Sequence, residues 1–234
     1  MNFNKNALLT IIFSMVITIN VWATKPNIIF IFADDWGWGD LSCHGHPYVK
    51  TPHIDRLAKE GTDFTRFTVA SGVCSPSRTA VMTGHFPARY NINGHFAWVP
   101  SNAKRGMPDW LNPKAPLLPR MLKKAGYRTA HFGKWHLANN MITDSPLPSE
   151  YGYDEYGAFN CAGEQMPVHE DAKHTIAFIE KCNDEKKPFF INLWIHEPHT
   201  PFHTVPKYRW RFRELPEPDN ICLLYTSPSP RDSS

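Results

Sequence analysis

Asn27-Ile28-Ile29-Phe30-Ile31-Phe32-Ala33 is a continuous apolar run of strand length, and it stops abruptly in Asp34-Asp35. A run without polar alternation suits a strand covered on both faces, the usual state of a strand in a parallel sheet. Two further segments end in a similar way. Tyr127–Gly133 (YRTAHFG) is a weaker strand that runs into Lys134-Trp135-His136, and Phe189–Trp194 (FFINLW) leads to His196-Glu197-Pro198-His199. Helical patterns lie between them. Thr51 is placed as an N-cap with Pro52 at the first helical position, Ile54, Leu57 and Ala58 on one face, and Gly61 as the stop. Leu117–Ala125, closed by Gly126, is a second helix, and Glu170–Cys182 a third with Ala172, Thr175, Ile176 and Ile179 on its buried side. Strands alternating with helices predict an α/β fold with right-handed crossovers.

Open α/β sheets bind ligands beyond the carboxyl ends of their strands. A single acid after a strand usually caps a helix or sits in solvent. Three strands that deliver Asp-Asp, Lys-x-His and His-x-x-His to one edge are harder to read as structural. No GxxxxGK or GxGxxG loop is present, which argues against a nucleotide enzyme. With 25 Lys+Arg against 22 Asp+Glu, the balance is too mild for a dedicated nucleic-acid binder, so no nucleic-acid partner is expected. A hydrophobic share of 42% with 20% charged residues describes a foldable globular chain, and 21 prolines and 12 histidines are its unusual features.

The two ends have a different texture. Residues 1–23 carry one lysine, Lys5, an apolar core over Ala7–Ile19, and Val21-Trp22-Ala23 before a polar start, the layout of a cleaved secretory signal peptide. The apolar stretch falls short of the roughly 20 residues of a membrane-spanning helix, so no stable membrane anchor is expected and the localisation is periplasmic or secreted. Export to an oxidising compartment leaves disulfide pairing among Cys43, Cys161 and Cys182 open. Residues 222–234 carry no periodicity, and Cys222–Asp232 resembles the translation of a transposase-type sequencing adapter. They are expected to be an artefactual tail, the alternative being a natural Ser/Pro-rich segment.

The sharpest local pattern is Cys74-Ser75-Pro76-Ser77-Arg78, followed by Thr83-Gly84. Ser75 and Pro76 suit a helix start, which places Cys74 just before an N-terminus whose free N–H groups favour an anion. On chemistry alone this suggests a thiolate nucleophile, against the plainer reading of a buried cysteine. Together with Asp34-Asp35-Trp36-Gly37-Trp38-Gly39-Asp40, Thr51–Leu57, Gly133–Leu137 and His196–His199, however, the pattern resembles the formylglycine-dependent sulfatases. The five blocks are colinear from about Lys25 to Phe202. Tyr151-Gly152-Tyr153-Asp154-Glu155-Tyr156 further resembles the branch that includes arylsulfatase A and the galactosamine-6-sulfatases, which points to a sulfated sugar.

The resemblance implies an alkaline-phosphatase-like mixed sheet sandwiched by helices. Residues 24–221 would be the N-terminal portion of a catalytic domain truncated before its C-terminal part. It implies that Cys74 is oxidised to Cα-formylglycine by a formylglycine-generating or anaerobic sulfatase-maturating enzyme. One oxygen of the hydrated aldehyde would attack sulfur, and collapse of the diol would expel sulfate. Asp34 and Asp35, with the modified Cys74, match ligands of a Ca2+ ion. Arg78 matches the residue supporting the formylglycine, Lys134 and His196 those contacting sulfate or the leaving group, and His136 the histidine that takes the diol proton. His199 is placed behind the site, His53, His131 and His203 are read as structural, and Asp40 as a turn cap or a site neighbour.

Calcium takes about 6–8 oxygen ligands, so Asp34, Asp35 and Cys74 form half a site and the 234-residue chain is expected to be inactive. The expected function is hydrolysis of sulfate esters, with a sulfated carbohydrate or aryl sulfate as substrate. Three rivals share residues with it: a phosphonate or phosphodiester hydrolase of the same superfamily, a non-catalytic binder of sulfated glycan, and a thiolate hydrolase built on Cys74 with His136 or His196.

Overall fold

The computed structural model describes residues 24–199; the signal-peptide reading, the tail at 222–234 and His203 lie outside them. Four strands form one sheet: β1 (Ile28–Asp34), β2 (Arg128–Lys134), β3 (Glu155–Phe159) and β4 (Phe189–Pro198). Their order is β1-β4-β2-β3, and every pairing among them is parallel. Strand β3 was not expected, and β4 runs four residues further than the FFINLW segment, carrying His196 within the strand.

Five α-helices connect the strands: α1 (Pro52–Glu60), α2 (Cys74–Thr83), α3 (Val99–Lys104), α4 (Leu118–Lys124) and α5 (Asp171–Asp184). The period of two along β4 separates two cores. Phe189 and Ile191, with Ala130 and Phe132 of β2, pack against Phe178 and Cys182 of α5. Phe190 and Trp194 face the other way, into a larger core with Met82 of α2, Leu117, Trp135, Tyr151 and Tyr153. Helices therefore cover both faces of the sheet, α5 on one side and α2 and α4 on the other.

One helix reading needs correction, and another is borne out in its bounds. In α5 the buried residues are Thr175, Phe178 and Cys182, whereas Ala172 is exposed. The stripe is rotated because Phe178, the bulkiest side chain, packs edge-on against Phe132 at 6.1 Å. In α1 no residue is buried, and Leu57 is 58% exposed. Thr51 stands at its N-cap position, but its hydroxyl donates to Asp55 Oδ1 (2.8 Å) rather than accepting from the helix backbone. The four described cysteines, Cys43, Cys74, Cys161 and Cys182, are free. Among the described residues no helix is long and apolar enough to cross a membrane.

Candidate active site at the carboxyl ends of the strands

Three strands end in a residue with left-handed backbone: Asp35 (φ 62°) after β1, His136 (φ 48°) just beyond β2, and Asn160 (φ 60°) after β3. Non-glycine residues adopt this region at a cost, and their clustering at one sheet edge marks that edge as special. Gly133 adds a fourth special conformation inside β2, at φ 102°. A Cβ there would lie 2.1 Å from the Trp194 carbonyl oxygen, so only glycine fits against β4.

Lys134, 1% exposed, places its ammonium on Asp34 Oδ2 at the end of β1. Arg78, fully buried, reaches the same carboxylate oxygen with a guanidinium nitrogen at 3.5 Å and donates from a second nitrogen to the Lys134 carbonyl at 3.0 Å. Its guanidinium carbon sits 4.8 Å from the Trp194 ring centroid and 5.5 Å from that of Phe32, a cation held between two aromatic faces. Burial raises the Asp34 carboxyl pKa, but the adjacent Arg78 and Lys134 outweigh it and hold the group below the ordinary range. Burial draws the Arg78 pKa down, opposed by Asp34 and by Cys74.

Cys74 is the first residue of α2 rather than the residue before it, since Val73 occupies the N-cap with extended backbone. Cys74 is half-buried, and Ser75 to Thr79 behind it are buried. The helix thus offers its N-terminal end and Cys74 together, with Arg78 one turn along.

His136, 6% exposed, donates from Nε2 to the Phe96 carbonyl at 3.0 Å. Burial pushes its pKa down to about 3, aided by Lys134, Arg78 and His95, so it is neutral near pH 7. His95 is exposed, with its ring 6.2 Å from that of His136. His196, 4% exposed, stands edge-on to Phe159 (5.2 Å) and 5.1 Å from the His199 ring. His199 Nε2 is 3.8 Å from Asp35 Oδ2, whose side chain is largely exposed.

The structure therefore brings Asp34, Arg78 and Lys134 into direct contact, and links Asp35 to His196 through His199. His136 is placed on a separate support, the Phe96 carbonyl. Asp40 accepts from the Gly37 amide at 2.7 Å and caps a turn. His131 is fully buried among Trp135, Trp194 and Tyr153, and burial holds its pKa at about 3. Sequence reasoning missed Phe32, Trp194, Phe96 and Asn139. For Trp194 a signal existed, since Asn192, Trp194 and His196 alternate onto one face of β4. Phe96 acts through its backbone and left none. Glu197, also unassigned, is pushed up to about 7 by burial, with Asp171 contributing.

Asp34, His196 and His199 each offer a ligand atom, all within 4.8 Å of one another. Asp34 and Asp35 supply hard oxygens of the kind Ca2+ or Mg2+ takes. Both cations on Asp34 engage Oδ2, which leaves Oδ1 outside that pairing. Of the expected ligands only Asp34 belongs to that three-residue group; Asp35 and Cys74 do not, and among the described residues two imidazoles complete it instead.

Comparison with known proteins gives these residues a context. The Sulfatase family pattern matches residues 26–220. The N-acetylgalactosamine-6-sulfatase of Mus musculus is 38% identical over 182 residues, covering 72% of this chain and 34% of its own length. The ulvan-active sulfatase of Formosa agariphila is 27% identical over 219 residues, covering 86% of this chain and 40% of its own length. Among solved structures, that of Ps i-CgsB in complex with k-i-k-neocarrahexaose superposes with a TM-score of 0.71 at 27% identity, over 87% of this chain and 52% of that one. The chain spans about a third of the length of the mammalian relative it matches. From the continuous match over 26–220 and the shared α/β fold, we conclude that this chain belongs to the sulfatase family.

Proposed function

We propose that the protein hydrolyses sulfate esters of carbohydrate, using a formylglycine made from Cys74 and a Ca2+ ion. The observation that carries this reading is the convergence of a cysteine at a helix N-terminus with a buried carboxylate–arginine–lysine cluster at the ends of parallel strands. The names of the relatives support a carbohydrate substrate: one is described as an N-acetylgalactosamine-6-sulfatase, another as ulvan-active, and a third is bound to a neocarrahexaose.

Asp34 and Asp35, with the modified Cys74, would hold the ion, which supplies positive charge that polarises the sulfate oxygens. Lys134 stands beside Asp34, where its ammonium contributes charge to a bound sulfate. Arg78 fixes the position of Lys134 through its backbone carbonyl and lies one helical turn behind Cys74. His136, neutral and buried, would receive a proton, and His196 would contact the departing alcohol. Asp34 and Asp35 supply only part of a calcium shell of about 6–8 oxygens, so the 234 residues alone are expected to lack turnover. Residues 1–23 are proposed to direct export.

The first test is peptide mass across Cys74 after co-expression with a formylglycine-generating enzyme. Conversion of thiol to aldehyde lowers the mass by about 18 Da. An unmodified Cys74 under those conditions would sink the formylglycine reading and leave a non-catalytic binder of sulfated glycan. A longer version of the protein that turned over an aryl phosphodiester in preference to an aryl sulfate would redirect the assignment to a phosphoryl hydrolase.

A further inference from the structure

His136 sits in a left-handed conformation at φ 48° with its ring buried, an arrangement that persists only where the surroundings over-determine it. Its Nε2 faces the Phe96 carbonyl at 3.0 Å. A carbonyl oxygen only accepts, so Nε2 carries the hydrogen. The other ring nitrogen, Nδ1, is buried and without a partner among the described residues. Histidine function depends on which nitrogen is protonated, and that is set by the bond the other one makes.

The Phe96 carbonyl is itself fixed from three sides. Asn139 donates its amide Nδ2 to the same oxygen at 3.0 Å, which occupies the second lone pair. The orientation of that amide is settled by its other end, where Oδ1 accepts from the Met141 backbone at 2.9 Å. On the amide side of the same peptide, the Ala97 N–H donates to Asn102 Oδ1 at 2.9 Å, and one peptide earlier the Phe96 N–H donates to Ser75 Oγ at 3.0 Å. Phe96 is fully buried and Asn139 is 7% exposed, so neither end of this arrangement is free to rotate in solvent. Ser75 directly follows Cys74, so the support of the histidine and the start of the cysteine helix share one hydrogen-bonded frame.

We propose that Asn139 is a positioning residue which, through the Phe96 carbonyl, locks His136 in its Nε2–H tautomer and makes Nδ1 the proton-accepting atom. The inference rests on the function proposed above for its chemical meaning, while its geometry stands by itself. When a hydroxyl on the modified Cys74 gives up its proton, the proton goes to Nδ1 and the O–H electron pair stays on oxygen. The resulting imidazolium keeps its Nε2–H bond to the Phe96 carbonyl, which stabilises the added charge. Three groups, Lys134, Arg78 and His95, disfavour that charge, so the carbonyl is the one group in this set that supports it. A ring flip would remove the bond to Phe96. Asn139 opposes the flip by holding the carbonyl where only Nε2 reaches it.

The test reads the tautomer directly, without turnover. The chain is labelled with 15N-histidine, and the ring nitrogen shifts of His136 are assigned by loss of its signals in His136→Gln. The expected result at neutral pH is a neutral ring with the hydrogen on Nε2 alone. In Asn139→Ala the population of the Nδ1–H form should become measurable, and in Asn139→Asp, where a carboxylate oxygen opposes the carbonyl, the shift should be larger. The buried ring of His131 serves as the folding control and should keep its shifts in each variant. A wild-type His136 with its hydrogen on Nδ1, or a rapid average of the two forms, overturns the proposal even if neither variant folds. An Asn139→Ala protein with an unchanged His136 spectrum removes Asn139 from the role. The mass of the Cys74 peptide, measured separately, tells failure of the function reading apart from failure of this one.

Discussion

Replacing Gly133 with alanine should be among the most damaging single-methyl changes in the chain, and its cost follows from distances. The added Cβ would lie 2.1 Å from the Trp194 carbonyl oxygen and 2.9 Å from its carbon, where ordinary contact begins near 3.4 Å. Relief requires β2 and β4 to separate by roughly an ångström at the Gly133–Trp194 pairing, which overpacks the neighbouring ladder at about 1–3 kcal/mol. The backbone at φ 102° adds about 1–2 kcal/mol for any residue with a Cβ. One weakened buried hydrogen bond contributes about 1 kcal/mol more. The sum, about 3–6 kcal/mol, is a large fraction of the 5–15 kcal/mol of an ordinary domain.

Two companion variants separate the causes. Gly84→Ala meets nothing within 4 Å but sits at φ 68°, so it should show the backbone cost alone, about 1 kcal/mol. Gly39→Ala meets nothing and needs no positive φ, and should be neutral within about 0.5 kcal/mol. Urea denaturation followed by tryptophan fluorescence ranks the three. A Gly133→Ala midpoint no lower than that of Gly84→Ala would refute the close approach of β2 to β4.

Asp34→Ala leaves Lys134 and Arg78 buried without their shared anion and should destabilise by about 3–5 kcal/mol; adding Lys134→Met should recover part of the loss, read from the same denaturation curves. Because the folded Asp34 pKa lies below its unfolded value, its contribution is present above the unfolded value and lost as pH falls through the folded one. Arg78→Lys loses the donor to the Lys134 carbonyl and the flat contact with Trp194, and should cost about 2–4 kcal/mol in stability. His131, neutral when folded with a pKa of about 3, binds fewer protons than the unfolded chain between roughly pH 3 and 6.5. Stability therefore rises with pH across that window, and His131→Phe should flatten the rise by about 1.4 kcal/mol per pH unit, measured by denaturation at stepped pH.

The strand at Asn27–Ala33 and the helix punctuation by Pro52, Gly61 and Gly126 were legible because they depend on neighbours in sequence; the expected cover on both faces of that strand is not found, since β1 is an edge of the described sheet and Ile29, Phe30 and Ile31 are exposed. Strand β3 was not, since Glu155–Phe159 has one buried residue and takes its conformation from pairing with β2. The buried face of α5 was misjudged for a related reason: Phe132, 46 positions away, decides which side turns inward. At the site, residues with distinctive chemistry stood out, and the family blocks carried Asp34, Cys74, Arg78, Lys134, His136 and His196. Their supports did not stand out. Trp194 holds Arg78 through a cation–ring contact across 116 positions, and Asn139 acts on His136 only through a third residue.

The oxygen that fixes His136 belongs to the peptide at Phe96, and every amino acid supplies such an oxygen. No point substitution at position 96 deletes it. Mutational pressure on the histidine's orientation therefore falls on what aims the peptide, Asn139 and Asn102, on Ser75 one peptide earlier, and on the volume of the residue 96 side chain. A survey of variants scored for function should find position 96 tolerant of bulky apolar exchange and position 139 intolerant of most replacements. The atom in contact with His136 is thus chemically constant under mutation, and the heritable part of its placement is written one layer further out.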